Sequence, residues 1–117
     1  MRFILTFAVA LFGFAGVAYA DPFANFYGNT TVVTHPVDGD RNVYIDEGGS
    51  YSMALPDGSK ASGHWEITGD QGCFTDDAAA PGDKPYCIPA VSHNVGDSWD
   101  ITAPDGTVEK ASLVEGR

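Results

Sequence analysis

Basic residues are scarce in this sequence, which has six Lys and Arg against sixteen Asp and Glu and a net charge of −10 at pH 7. A surface of this charge repels the phosphates of nucleic acids and the headgroups of anionic membranes. We therefore expect no nucleic-acid partner. Acidity of this kind commonly serves solubility, and it leaves a cationic partner open.

Short catalytic motifs are also missing. The sequence contains no G-x-S-x-G, no phosphate loop, no dinucleotide fingerprint and no H-E-x-x-H. A pair of catalytic carboxylates could lie among the sixteen acidic residues, but nothing in the sequence distinguishes two of them from the rest. We therefore predict that the protein is not an enzyme and has no cofactor.

A long apolar run occurs at the N-terminus. Residues 1–20, MRFILTFAVALFGFAGVAYA, have one basic residue, Arg2, then the apolar run, then Ala18-Tyr19-Ala20. This order is typical of a cleaved signal peptide, and the run is shorter than the about 20 residues that a membrane helix needs. We predict a cleaved signal peptide over 1–20 and a single domain over 21–117. The protein would then be exported, periplasmic or extracellular, and free of a membrane span; a retained anchor is the less favoured alternative.

Cysteine is present only twice, as Cys73 and Cys87. In an exported protein such a pair usually forms a disulfide, here closing the segment FTDDAAAPGDKPY. Closing a loop of about 15 residues stabilises a fold by roughly 3 kcal/mol in the chain-entropy model. A metal site is disfavoured, because the spacing is too long for a C-x-x-C knuckle and no second pair exists.

Runs rich in β-branched and aromatic residues fill the chain after residue 29, separated by short turn sequences. Asp-Gly pairs at 38–39, 57–58 and 105–106 are typical of tight hairpins. The predicted strands are residues 30–35, 41–46, 50–55, 60–68, a run that begins at 73, 86–93, 98–103 and 108–114. We predict an all-β fold, an antiparallel meander that forms a small barrel or a sandwich with one disulfide.

Alternation within two of these strands predicts core residues. In KASGHWEIT, Trp65 and Ile67 share the apolar face, and in SWDITA the same holds for Trp99 and Ile101. We therefore place Trp65, Ile67, Trp99 and Ile101 in the core. A sugar-binding role for the tryptophans is the alternative.

Two candidate metal sites are weak. His35, His64 and His93 lie on or at the end of separate predicted strands, and they could form a zinc or copper site only if the fold brought them together. DGDRNVYIDEGG (38–49) resembles a calcium loop superficially. It has Val43 where the loop needs Gly and Gly49 where it needs Glu, so we predict no metal here either.

The stretch GHWEI (63–67) with its later cysteines, together with GDSWDIT (96–102) and the last hairpin, resembles small, mostly uncharacterised exported β proteins of proteobacteria. More loosely, G-x-W followed by a cysteine is similar to the small eight-stranded barrels that inhibit secreted metalloproteases, and to lipocalins. The inhibitor resemblance implies a free N-terminal segment that blocks the target. DPFANFYGN (21–29) could serve, or its aromatic residues could instead cover the core.

The predicted function is therefore a non-catalytic binding or envelope-interaction module for an unknown protein or small molecule. The runner-up is an inhibitor of a secreted or periplasmic hydrolase. A third hypothesis is a small metal-binding protein or enzyme that uses His35, His64 and His93. Residues 76–85, small, charged and rich in Pro and Gly, are predicted to form a mobile surface loop tied at its base by the disulfide.

Overall fold

A computed structural model describes residues 21–117, which form one sheet of eight strands preceded by a short 3₁₀ helix, Ala24–Phe26. The strands are β1 Thr30–His35, β2 Gly39–Ile45, β3 Ser50–Ala54, β4 Lys60–Thr68, β5 Gln71–Asp76, β6 Tyr86–Pro89, β7 Ser98–Thr102 and β8 Val108–Val114. The signal peptide predicted for 1–20 lies outside the described residues. Within residues 21–117, no helix has the length and apolar character that a membrane crossing requires.

The strands form a meander with a single break. Every strand pairs antiparallel with the next one in sequence except β6 and β7, and β1 also pairs with β8. The resulting order, β6-β5-β4-β3-β2-β1-β8-β7, curls into a nearly closed barrel whose two edges are β6 and β7. The predicted all-β antiparallel fold is confirmed, and it takes the barrel form rather than the sandwich.

Two hairpins with similar sequences, LPDGS and APDGT, use the same turn. Gly58 and Gly106 have φ values of 89° and 91°, which glycine adopts without steric cost. The side chains of Asp57 and Asp105 each accept a hydrogen bond of 2.9 Å from the backbone N–H two residues further on. This Asx contact fixes both turns locally, so the hairpin positions could be predicted from the sequence.

The strand boundaries near the disulfide differ from the prediction. Strand β5 begins at Gln71 rather than at 73, because Gly69, with a φ of 64°, makes a tight turn after β4. Strand β6 ends at Pro89 rather than at 93. Gln71, the first residue of β5, pairs with Pro89, so later residues have no partner on β5.

The predicted disulfide between Cys73 and Cys87 is confirmed. The two residues lie directly opposite each other in the β5–β6 pair. Their neighbours Gly72 and Phe74 face the barrel interior, so the disulfide lies on the outer surface of the sheet. It therefore joins the edge strand β6 covalently to the rest of the barrel.

Of the four predicted core residues, one is buried, two are half-buried and one is exposed. Ile101 is buried, and the indoles of Trp65 and Trp99 are half-buried against a buried cluster of apolar residues. Ile67 is 40% exposed, so its assignment to the core is wrong. Ile67 lies close to the turn of the β4–β5 hairpin, and the Phe23 ring packs on its partner Gly72 and on Trp65.

Candidate functional site

One end of the barrel is closed by the segment that precedes β1. Phe23 and Phe26 are 3% and 5% exposed, and their rings meet edge to face at 5.3 Å. Phe23 packs on Trp65 at 5.2 Å and Phe26 on Trp99 at 6.0 Å, so the two phenylalanines link the two indoles. We call these four residues, with the buried Leu113, the aromatic end of the barrel.

The same placement shows where the aromatic side chains of residues 21–29 lie. The aromatic side chains of the segment cover the core rather than project from the barrel. Asp21 fixes the segment further, because its carboxylate accepts hydrogen bonds from the Tyr27 hydroxyl at 2.6 Å and from the backbone N–H of Phe23 at 2.9 Å. The segment is therefore part of the fold.

The opposite end of the barrel carries a cluster of charged and polar side chains. The guanidinium of Arg41 donates two hydrogen bonds to the carboxylate of Glu109, at 2.6 and 3.2 Å. The hydroxyl of Tyr86 donates a third to the same carboxylate at 2.6 Å. The side chain of Glu109 is only 3% exposed. We call Arg41, Glu109 and Tyr86 the charged end.

The protonation states at the charged end follow from these contacts. Burial raises the pKa of Glu109, but the hydrogen bonds from Arg41 and Tyr86 outweigh burial and leave that pKa below its ordinary value. Burial, and then the neighbouring carboxylate, raise the pKa of Tyr86. At neutral pH the cluster therefore contains an ionised Glu109, a charged Arg41 and a neutral tyrosine. Among residues 21–117, no buried side-chain nitrogen or oxygen lacks a hydrogen-bond partner.

Between the two ends lies a cavity of about 630 Å³. This volume falls in the range of about 300–1,000 Å³ that is usual for small-molecule sites. Most of the side chains that the barrel strands contribute to its wall are apolar or aromatic: Val33, Val43, Ile45, Tyr51, Met53, Phe74, Ile88, Trp99 and Ile101. Phe23 and Phe26 form its floor, and Arg41 and Tyr86 contribute polar groups.

A glycine on β4 makes room for one of these wall residues. A Cβ atom at Gly63 would overlap the backbone oxygen of Thr75 and would lie 2.7 Å from Cε1 of Tyr51. The Tyr51 ring lies over Gly63 and meets Phe74 edge to face at 5.3 Å. Gly63 therefore lets a large aromatic ring lie along the wall without filling the cavity.

The cavity reaches the surface beside the loop between β5 and β6. Four exposed residues of this loop also line the cavity: Ala78, Ala79, Asp83 and Lys84. At its base, the backbone N–H of Asp77 bonds to the backbone oxygen of Ser62 on β4 at 2.9 Å. Near its tip, the backbone N–H of Ala80 donates to the Asp83 carboxylate, so this hydrogen bond joins two residues of the same loop. The structure confirms a surface loop, and its mobility stays a prediction.

Within residues 21–117, β6 and β7 are not paired by backbone hydrogen bonds, and side-chain contacts span the seam between them. The bond from Tyr86 to Glu109 joins β6 to β8 across the seam, and Ile88 packs on the buried cluster that contains Ile101. Val91, just past β6, lines the cavity and is 51% exposed. The seam is therefore the part of the wall without a backbone hydrogen-bond ladder.

The three histidines have different partners. His35 Nδ1 accepts backbone N–H bonds in the turn after β1, His64 pairs with Asp77 at 3.1 Å, and His93 stacks on Trp99 at 3.5 Å between ring centroids. In the part of the chain that the structure describes, no group of three or more His, Cys, Asp or Glu could hold a metal ion. The described residues therefore provide no metal site that would support the hypothesis of a metal-binding protein.

The sequence prediction missed the charged end, although a signal for it exists. In VEKASLV, Glu109 stands in phase with the buried Ala111 and Leu113. On β2, Arg41 stands in phase with Val43 and Ile45 in the same way. A charged residue in phase with an apolar face indicates a buried ion pair, and each strand supplies one partner.

No protein-family model matches the chain, and comparison with curated proteins and with solved structures gives no match. The resemblances noted in the sequence therefore stay predictions. The function has to be inferred from the cavity and its two ends.

Proposed function

We propose that this protein binds a small, mainly apolar molecule in the interior of the barrel. The observation that supports the proposal is the cavity of about 630 Å³, with an aromatic floor, mostly apolar strand walls and access to the surface beside one loop. Burial of apolar ligand surface in such a site is favourable by about 25 cal/mol per Å² before the costs of association.

The position of residues 21–29 favours this function over the runner-up. An inhibitor that inserts its N-terminal segment into a hydrolase needs that segment free. Here Phe23 and Phe26 are buried and form the cavity floor. Their release would expose the aromatic end to solvent, at the cost of the core contacts with Trp65 and Trp99.

We also propose that the protein is exported to the periplasm or the extracellular space. The Cys73–Cys87 disulfide supports this location, because disulfides persist in oxidising compartments. The intact mass of protein recovered from its native compartment should correspond to a chain that begins at Asp21. A mass that includes Met1 would contradict export with cleavage.

The binding proposal is tested with a neutral apolar fluorophore, N-phenyl-1-naphthylamine. Its fluorescence should rise saturably with the wild-type protein. Val43→Trp places an indole in the cavity and should weaken binding at least about tenfold, the equivalent of 1.4 kcal/mol. Val108→Trp is the matched control, because Val108 is 53% exposed and does not line the cavity.

Circular dichroism melting should show that both variants are folded before binding is compared. Equal affinity of wild-type, Val43→Trp and Val108→Trp proteins for the fluorophore would place its site outside the barrel. Absence of saturable binding by the wild-type protein would contradict the proposed function.

A further inference from the structure

Arg41 is the one basic side chain that the strands contribute to the cavity wall, within the residues that the structure describes. A guanidinium has five N–H donors, and Glu109 receives hydrogen bonds from two of its nitrogens. The side chain of Arg41 remains 20% exposed and lines the cavity. Arg41 can therefore donate a further hydrogen bond to a ligand inside the barrel.

The charge of Arg41 is already balanced. Glu109 is buried against it and is ionised at neutral pH, so the pair has no net charge. Other charged groups on the cavity wall are Asp76, Asp83 and Lys84, which together add one negative charge. A ligand carboxylate bonded to Arg41 would lie near the Glu109 carboxylate in a medium of low dielectric constant, where like charges repel strongly. A neutral acceptor gains the hydrogen bond without this repulsion.

We propose that the charged end makes the cavity selective for apolar molecules that carry a neutral hydrogen-bond acceptor, such as a ketone or ester carbonyl, and excludes the corresponding carboxylates. This selectivity rests on the proposed function, since it concerns ligands held in the same cavity. Arg41 is the donor, and Glu109 both orients Arg41 and cancels its charge. Tyr86 donates to Oε1 of Glu109, the oxygen that also accepts from Arg41 Nη2. Its ring packs near Arg41, with 5.9 Å between the guanidinium carbon and the ring centroid.

The first experiment compares three competitors of similar chain length, 2-undecanone, undecane and undecanoate, in displacing N-phenyl-1-naphthylamine at neutral pH. The ketone should bind about tenfold more tightly than undecanoate and also more tightly than undecane. If the fluorophore binds but the ketone shows no preference over undecanoate, the selectivity is overturned and the proposed function stands. If neither the fluorophore nor any competitor binds, the proposed function fails and the selectivity fails with it.

The second experiment inverts the selectivity with Glu109→Gln. The one acceptor oxygen of glutamine can take the place of Oε1, which accepts from Arg41 and Tyr86, but the bond from Arg41 to Oε2 is lost and the guanidinium charge is left unbalanced. Undecanoate should then bind about tenfold more tightly than it binds the wild-type protein, while the ketone changes by less than about threefold. Glu66→Gln, at an exposed position on β4, is the control for the change in net charge and should alter neither affinity. An unchanged affinity for undecanoate in Glu109→Gln would overturn the proposal.

A double variant keeps the proposal falsifiable if Glu109→Gln does not fold. Arg41→Met with Glu109→Met replaces the whole ion pair by apolar side chains, a change that is often neutral or stabilising in buried pairs. It should still bind N-phenyl-1-naphthylamine. It should bind undecane more tightly than 2-undecanone, because a buried carbonyl without a donor has lost its hydrogen bonds to water. Because Glu109→Met also frees the Tyr86 hydroxyl, the same comparison is made with Tyr86→Phe added. A preference for the ketone over undecane that survives in both variants would show that Arg41 is not the donor.

Discussion

The two ends of the barrel bury side chains in opposite ways. At the aromatic end, Phe23 and Phe26 pack edge to face with each other and with the two indoles, which leaves a filled floor. At the charged end, Arg41 and Glu109 satisfy each other through hydrogen bonds, and the space beside them stays open. We propose a division of roles, in which the aromatic end mainly stabilises the fold and the charged end mainly determines which ligands the cavity accepts.

The largest expected effect comes from breaking the aromatic end. Phe23→Ala removes a ring that is 3% exposed and that contacts Phe26, Trp65 and Phe74. The lost burial and the new cavity should lower the free energy of unfolding by about 3–5 kcal/mol, measured by chemical denaturation. Val37→Ala, at a residue that is 84% exposed, should change it by no more than about 0.5 kcal/mol. A loss below about 1 kcal/mol in Phe23→Ala would remove the stabilising role assigned to this end.

The next effect tests the wall between the two ends. Gly63→Ala would place a Cβ against the Thr75 backbone and the Tyr51 ring, and it should lower the free energy of unfolding by about 1–3 kcal/mol or more. The displaced Tyr51 ring should also reduce the cavity and weaken binding of the fluorophore. Gly48→Ala is the matched control, since a Cβ there meets nothing within 4 Å and the backbone needs no positive φ. Equal stability of the two alanine variants would contradict the close approach at Gly63.

Local patterns predicted much of the fold, because strands and hairpin turns depend on neighbouring residues. The predicted bounds of β1, β4 and β8 agree with the structure, and the glycine at 58 adopts the positive φ that its Asp-Gly turn requires. The failure at Ile67 has a different origin. Alternation gives the face of a strand, whereas the depth of the filled interior depends on where Phe23 packs.

The charged end shows the limit of local patterns more clearly. Arg41 and Glu109 are 68 residues apart in sequence, and they meet only because β1 pairs with both β2 and β8. Tyr86 reaches Glu109 across the unpaired seam, so no strand pairing could have indicated this contact. The sequence can indicate that each residue lies on an inward face, but the pairing requires the closed topology.

Acid titration tests how much the charge of Glu109 contributes to the stability of the charged end. The pKa of Glu109 is lowered in the folded protein by Arg41 and Tyr86 despite burial, so its ionised form stabilises the fold above the ordinary value of 4.5. This contribution should be lost as the pH falls through the lowered pKa. The stability difference between the wild-type protein and Glu109→Gln should therefore be constant near neutral pH and should shrink below about pH 4.5. Thermal melting at a series of pH values measures this difference. A difference that does not change with pH would show that the carboxylate charge adds nothing at the charged end.

The smallest expected effect lies at the aromatic end and begins at a higher pH. His93 stacks on Trp99 with an angle of 6° between the rings, and burial lowers its pKa below 6.5 despite the opposing effect of Asp97. The folded protein therefore prefers the neutral imidazole, and the stability that this gives is present above pH 6.5 and lost as the pH falls through the lowered pKa. His93→Phe can keep the stacking but does not titrate, so its melting temperature should fall less than that of the wild-type protein between pH 7 and pH 5. Because His93 is only partly buried, the difference should be smaller than that produced by Glu109 in more acidic solution. Equal changes in melting temperature of the two proteins over this interval would show that His93 is not the group that makes the aromatic end sensitive to acid.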